Sequence, residues 1–261
     1  MIEAIILGIL QGLTEFIPVS SSAHLIIVPW FLGWTGTVNT LSFSVALHLG
    51  TLISLLFYFR KDWIALFKTA NKKDSLIWHI VVATIPAAAA GLIFHDQIEQ
   101  IRSPLLITAT LSFVAVLMIL VERKKKDSAC LGIDRISRKD ALLIGIAQAV
   151  ALVPGISRSG ITIVTGLARG YKREASARFS FLLGTPIVAG AGALEAKELI
   201  LSNNINFQPA IFLTGIAMSA LTGYIAIKFL LRFLQNHTLI PFAYYRFLVA
   251  FVIIITIWAQ R

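Results

Sequence analysis

Two short polar runs hold the groups able to do chemistry. The first reads Gln11-Gly-Leu-Thr-Glu15-Phe-Ile-Pro18-Val-Ser20-Ser21-Ser22-Ala-His24, and Glu15 is the only acid between Glu3 and Asp62. Gln11 and Glu15 stand four residues apart, which puts them on one face of a helix. Pro18 ends that helix. The three serines then offer hydroxyls and backbone N–H groups where a new helix starts, a place that favours anions and equally suits plain helix capping. The second run reads Pro154-Gly155-Ile156-Ser157-Arg158-Ser159-Gly160-Ile161-Thr162, and Arg158 is the only charge in the stretch 141–168. A guanidinium in apolar surroundings needs an anion, either a ligand or Glu15 itself. Its planar fork suits phosphate, glycines let backbone come close, and Ser157, Ser159 and Thr162 add hydroxyls. The spacing and the lysine of a Walker loop are absent. Together the two runs read as a site for a phosphate ester, with His24 available as base or nucleophile. His48, His79, His95 and His237 lack comparable neighbours and read as packing or interface residues.

The elements that must position these groups are unlike those of a soluble domain. Of 261 residues, 57% are hydrophobic and 14% charged, with a mean hydropathy of +0.82, against about 45–50% and about 25% in ordinary globular chains. Uncharged stretches long enough for a bilayer occur at Leu41–Phe59, Leu76–Phe94, Pro104–Val121, Phe179–Leu194, Pro209–Ile227 and Phe242–Gln260, the last interrupted by Arg246. Ala4–Pro18 and Ala141–Pro154 are helix-like but reach only about 20 Å. These two, carrying the polar breaks, are expected to enter and leave on one side, since irregular backbone at membrane depth persists only where protein or a watery cavity satisfies it.

The net charge of +10 points away from nucleic acid, because the cations cluster between apolar runs as they do in cytoplasmic loops. Arg60 to Lys73, Arg123 to Lys139, Arg169 to Arg178, and Lys228, Arg232 and Arg246 fall on one side if the second break does not cross. That places nineteen of 23 cations inside and both termini outside. The first break then opens outward, with Gly33 to Gly36 an external turn and Asp96, Gln97 and Glu99 in an external loop. The start has no basic region or small-residue site of a cleaved signal peptide. Trp30, Trp34, Trp63, Trp78 and Trp258 read as interfacial anchors. Cys130 has no partner for a disulfide or a cysteine metal site.

An offset of 137 residues pairs Ala4 with Ala141, Gly8 with Gly145, Gln11 with Gln148, Ser20 with Ser157 and Ser22 with Ser159. A second echo follows, Phe43-Ser44 with Gly50-Thr51 and Phe179-Ser180 with Gly184-Thr185. The expected fold is an all-α polytopic membrane protein of six transmembrane helices and two re-entrant helical hairpins in an inverted repeat. It is a single integral membrane domain over 1–261, with repeat one about 1–121, a basic linker about 122–140 and repeat two about 141–261.

Over essentially its full length the chain resembles the undecaprenyl-diphosphate phosphatase, or bacitracin-resistance, family. Gln11 to Glu15, Pro18 to Ser21 and His24 match the family's first motif, and Pro154 to Thr162 its second. Many members carry Glu where this chain has Gln11, so a pair of carboxylates is reduced here to one. The resemblance implies removal of the terminal phosphate of undecaprenyl diphosphate at the outer face of the bacterial inner membrane, which regenerates the carrier lipid for cell-wall synthesis. It also implies a divalent cation, Mg²⁺ or Ca²⁺. On that basis Glu15, Ser21, His24 and Arg158 are the expected catalytic residues and Glu15 the metal ligand. Gln11, Ser20, Ser22, Gly155, Ser157, Ser159, Gly160 and Thr162 are expected to bind substrate. Ser21 is the first choice of nucleophile and His24 the second, with direct attack by water open. The expected partners are the lipid and the membrane, with room for a homodimer. The competing class is a lipid-phosphate flippase, since inverted repeats with broken helices also serve alternating access.

Overall fold

The computed structural model describes residues 1–72, 74–94, 97, 101, 103–124, 131–201 and 208–259. Lys73, His95, Asp96, Glu99, Lys125, Lys126 and Cys130 lie outside the described residues. Among the described residues the chain is all helical: α1 (Ile2–Phe16), α2 (Ser21–Leu32), α3 (Leu41–Tyr58), α4 (Arg60–Lys68), α5 (Leu76–Ile93), α6 (Pro104–Lys124), α7 (Arg138–Val150), α8 (Arg158–Ala168), α9 (Arg173–Leu201), α10 (Pro209–Asn236) and α11 (Ile240–Ala259). Five of them, α3, α5, α6, α10 and α11, are long and apolar enough to cross a membrane. Their outer faces carry Phe57, Ile85, Phe113, Leu221, Leu248 and Phe251, all exposed, as lipid-facing helices require.

The helix ends follow charge pairing as much as hydropathy. The apolar stretch at Phe179 belongs to a helix that starts at Arg173, because Arg173 pairs with Glu122 of α6 and Arg178 with Asp62 of α4. Segment 60–68, expected as a charged loop, is a short helix that buries Leu66. Arg246 interrupts nothing. It lies within α11 with its side chain fully buried, and it does not belong among the surface cations of a basic loop.

Each polar break joins two short helices that double back. α1 and α2 meet at Pro18–Ser20, and α7 and α8 at Ala151–Ser157. The outer ends of the second hairpin are tied together. Asp140, at the start of α7, accepts hydrogen bonds from Arg169 Nε at 2.6 Å and Tyr171 Oη at 2.7 Å, just beyond α8. The outer end of the first hairpin packs Ala4 and Leu7 with Leu25, Val28, Trp34 and Val38. α1 packs chiefly on α10, and α7 on α5. The approach is close in both pairs because a glycine faces the neighbour. A Cβ at Gly8 would stand 2.7 Å from Gly215 O, and one at Gly145 would collide with the Ala83 backbone. The two tips share a backbone feature as well. Ser20 (φ 79°) and Ser157 (φ 73°) are the only non-glycine residues at positive φ among the described residues, a strained conformation for an L side chain. Each caps the helix that follows, Ser20 accepting from Ala23 N and Ser157 from Gly160 N.

Gly8→Val should therefore force α1 away from α10 at a cost of about 1–3 kcal/mol, typical of overpacking. A lower melting temperature of the detergent-solubilised protein would register it, whereas Gly33→Val, with open space around its Cβ position, carries only the strain of its left-handed φ.

Candidate active site

The two tips meet in the interior. Ser22 Oγ accepts from Gly155 N at 3.3 Å, and Thr110 Oγ1 of α6 donates to Pro154 O at 2.8 Å. Arg246 completes the junction. Its guanidinium donates to the carbonyls of Pro18, Gly155, Ile156, Thr110 and Leu111 at 2.9 to 3.4 Å. A broken helix leaves carbonyls that no helix bond satisfies, and one side chain with five donors in a plane reaches those of both breaks. Sequence reading missed this role; the signal was a single charge inside an otherwise apolar span.

With the tips held, Glu15 becomes the centre of a polar cluster although its residue is only 7% exposed. Arg158 Nη2 donates to its Oε1 at 2.7 Å. Ser21 Oγ donates to Oε2 at 2.7 Å, and Gln11 Nε2 to the same oxygen at 3.1 Å. His48 Nε2 of α3 lies 3.6 Å from Oε2, so His48 has company that its sequence neighbours do not disclose. Arg158 is steadied from behind, its Nη1 donating to Ser180 O at 3.0 Å. Thr162 shares a 2.7 Å bond with the Ser180 hydroxyl.

The cluster opens into a cavity of about 590 Å³ whose lining includes Glu15, Ser21, Ser22, His48, Ser157 and Arg158. Both Ser21 and Arg158 are the first residues of their helices, so the cavity receives the N–H ends of α2 and α8, where an anion is favoured. The remaining wall is largely apolar, with Leu7, Leu25, Ile26, Trp30 and Val188 among its members. Trp30 thus lines the cavity.

The other expected site residues stand around this cluster. Ser20 is fully buried as a cap. Ser159 pairs with Ser157 at 3.3 Å. Gly155 takes φ 89°, with no room for a Cβ beside Thr110, and Gly160 supplies the N–H that Ser157 caps. Thr162 back-bonds to Arg158 O at 2.7 Å. His24 is not brought to Glu15. Its Nδ1 donates to Ser20 O at 2.7 Å, and its Nε2 bonds Tyr245 Oη of α11 at 2.9 Å. Gln148, the counterpart of Gln11, lines the cavity with both side-chain polar atoms buried and unpartnered.

Among the described residues no group of three or more His, Cys, Asp and Glu is placed to hold a metal. The oxygens near Glu15 nevertheless have the chemistry of a hard-cation site. Gln11 Oε1 is buried without a hydrogen-bond partner, beside a carboxylate and a serine hydroxyl, and Mg²⁺ and Ca²⁺ take oxygen ligands.

Residues 4–252 match the family described as Bacitracin resistance protein BacA. Curated relatives named undecaprenyl-diphosphatase include those of Thermodesulfovibrio yellowstonii, 50% identical with 97% of this chain and 96% of the relative covered, and Pelotomaculum thermopropionicum, 45% identical with 99% and 97% covered. That of Geobacter sulfurreducens is 42% identical with 100% and 99% covered. The chain belongs to the BacA family.

Arg246→Met should strand carbonyls of both tips, each buried unsatisfied group costing about 1–3 kcal/mol. Melting and size-exclusion profiles should show loss of folded protein, and an Arg246→Met protein as stable as wild type would show that the carbonyls find other donors.

Proposed function

We propose that the chain is an undecaprenyl-diphosphatase. It hydrolyses the terminal phosphate of undecaprenyl diphosphate, yielding undecaprenyl phosphate and inorganic phosphate, and so supports peptidoglycan synthesis and bacitracin resistance. The observation that carries the reading is the buried trio of Arg158, Glu15 and Ser21, assembled from two chain breaks at one cavity. The apolar wall takes the first units of the prenyl chain, each buried methylene favouring binding by about 0.8 kcal/mol.

In the proposed topology, six helices cross the bacterial inner membrane, the sixth being α9, and the two hairpins enter from opposite faces as an inverted repeat divided near 122–140. The meeting of the outer hairpin ends at Asp140 and Arg169 and the matched positive-φ serines support it. The basic segments face the cytoplasm, the cavity opens to the outer side, and both termini lie outside.

Arg158 has five N–H donors, two of them engaged with Glu15 and Ser180, and the rest receive phosphate oxygens. Ser21 attacks the terminal phosphorus: its Oγ–P bond forms as the bond from that phosphorus to the bridging oxygen breaks, undecaprenyl phosphate leaves with that electron pair, and water then cleaves the Oγ–P bond to release inorganic phosphate and restore the Ser21 hydroxyl. That hydroxyl already points at Glu15 Oε2 and lines the cavity, whereas His24 is held between Ser20 and Tyr245. Glu15 orients Ser21 and receives its proton, and the N–H groups at the start of α2 and α8 stabilise charge on the transferring phosphoryl group. Glu15 and Gln11 Oε1 would hold Mg²⁺ or Ca²⁺ together with substrate oxygens. When bound, the cation neutralises charge developing on those oxygens. A flippase would need Arg158 and the hydroxyls but not the bond between Ser21 and Glu15.

The test is phosphate release from undecaprenyl diphosphate by solubilised protein with Mg²⁺ or Ca²⁺, then with chelator. Chelation should stop release, and Ser21→Ala and Arg158→Ala should each lower it by about 100-fold or more. Glu15→Gln should lose hydrolysis while still binding lipid. Full hydrolysis in that variant would overturn the role of Glu15, and wild-type protein that binds lipid without releasing phosphate would favour the flippase.

A further inference from the structure

Gln148 stands near the end of α7, is only 2% exposed, and lines the cavity. Among the described residues neither its Nε2 nor its Oε1 has a hydrogen-bond partner. Native proteins seldom leave buried polar atoms unsatisfied, and those left so need a reason. The counterpart in the first hairpin shows what is missing. Gln11 donates to Glu15, four residues further along its helix, at 3.1 Å. Four residues after Gln148 comes Leu152, which lines the same cavity. The second hairpin therefore has the amide without the anion, and an acceptor for Nε2 has to come with whatever enters the cavity.

We propose that Gln148 binds the inner phosphate of the substrate, the one that stays on the lipid; the proposal rests on the reading of the cavity as a prenyl-diphosphatase site. A prenyl diphosphate brings two phosphate groups, and the cluster around Glu15 accounts for one. In that reading Arg158 and Ser21 take the terminal group. The inner group carries non-bridging oxygens of its own, and enclosing them without donors would offset part of the affinity that the apolar wall supplies. Of the buried side-chain atoms without a partner among the described residues, Gln148 Nε2 is the one donor on the cavity lining. It donates to an oxygen of the inner phosphate, and Oε1 accepts from a water carried in with the headgroup.

An amide suits this place because it is uncharged. It donates to the inner phosphate without competing with the Arg158 guanidinium for the terminal one, so the positive charge stays at the phosphorus under attack. It also distinguishes substrate from product. A lipid monophosphate has one phosphate for two places: at Gln148 it lies where the inner group lies, away from Ser21, and at Arg158 it leaves Gln148 unpaired. A site whose buried polar group is left unpaired by the wrong ligand rejects that ligand. Gln148 is thus a specificity residue for diphosphates, and it keeps the product from being attacked in turn.

The experiment measures kcat and KM for phosphate release from undecaprenyl diphosphate, and inhibition by undecaprenyl phosphate and by inorganic phosphate, in wild type, Gln148→Met and Gln148→Leu. Expected for both variants is a KM raised about tenfold, the worth of about one hydrogen bond. Their kcat should stay within about twofold of wild type, since the contact is made equally before and during reaction. The inhibition constant of undecaprenyl phosphate should rise with KM, and that of inorganic phosphate should stay. Melting temperatures should not fall, because the substitutions remove polar atoms that have no partner. Unchanged KM in a folded variant would overturn the proposal. So would inhibition by inorganic phosphate that weakens as much as inhibition by the lipid phosphate, which would place Gln148 at the terminal group. Loss of folded protein in both variants, or a lower melting temperature with KM intact, would overturn it too by making the amide structural. Absence of phosphate release from wild type would instead overturn the phosphatase reading, so the two failures are distinct.

Discussion

A fully buried guanidinium, that of Arg246, with no acidic partner among the described residues, holds the two chain breaks together. Burying such a charge costs several kcal/mol even after relaxation, and Arg246 offsets it with five carbonyl contacts. The carbonyls need it as much as it needs them. Those of Pro18, Gly155 and Ile156 belong to backbone that has left the helix, and a buried unsatisfied group costs about 1–3 kcal/mol. A lysine has no planar fork to reach three chain segments at once. The breaks are thus affordable because α11 brings one side chain able to close both.

The geometry of the polar cluster around Glu15 follows from that closure. Only when Pro18 and Gly155 are held by one residue can Glu15 of the first hairpin meet Arg158 of the second, 143 residues away in sequence. Arg158 pairs with Glu15 while Arg246 is held by backbone carbonyls, so the two joined tips carry two guanidinium groups and one carboxylate. That excess of positive charge suits the phosphate-bearing ligand proposed for the cavity. Gln11 adds a hydrogen bond to Glu15 without adding a negative charge.

Much of this was legible in the sequence, and the limits have physical causes. Five of the six expected spans could be read because a hydrocarbon core demands about 20 apolar residues. The hairpins could be read because Ala4–Pro18 and Ala141–Pro154 are too short. The pairing of Glu15 with Arg158 was foreseeable as one answer to an isolated Arg. Arg246 and His48 were not legible in the same way. Each is a lone residue on a long helix, and nothing local distinguishes a charge that clamps carbonyls from one that reaches the interface. The beginning of α9 at Arg173 was hidden for a related reason: hydropathy penalises charges that tertiary pairing with Glu122 and Asp62 neutralises.

The proposed repeat would frame both the symmetry of the tips and the asymmetry of the site. At an offset of 137, Ser20 meets Ser157, and both tips keep the positive-φ cap. The same offset sets Ser21 against Arg158 and Glu15 against Leu152. Both copies therefore present the first residue of a helix to one cavity, where backbone N–H groups favour an anion. One copy fills that position with a hydroxyl that can attack, and the other with a guanidinium that can hold what is attacked. In the proposed inverted repeat the two tips are equivalent anion-seeking ends, and the differences at these two positions set one toward the proposed chemistry and the other toward the proposed binding.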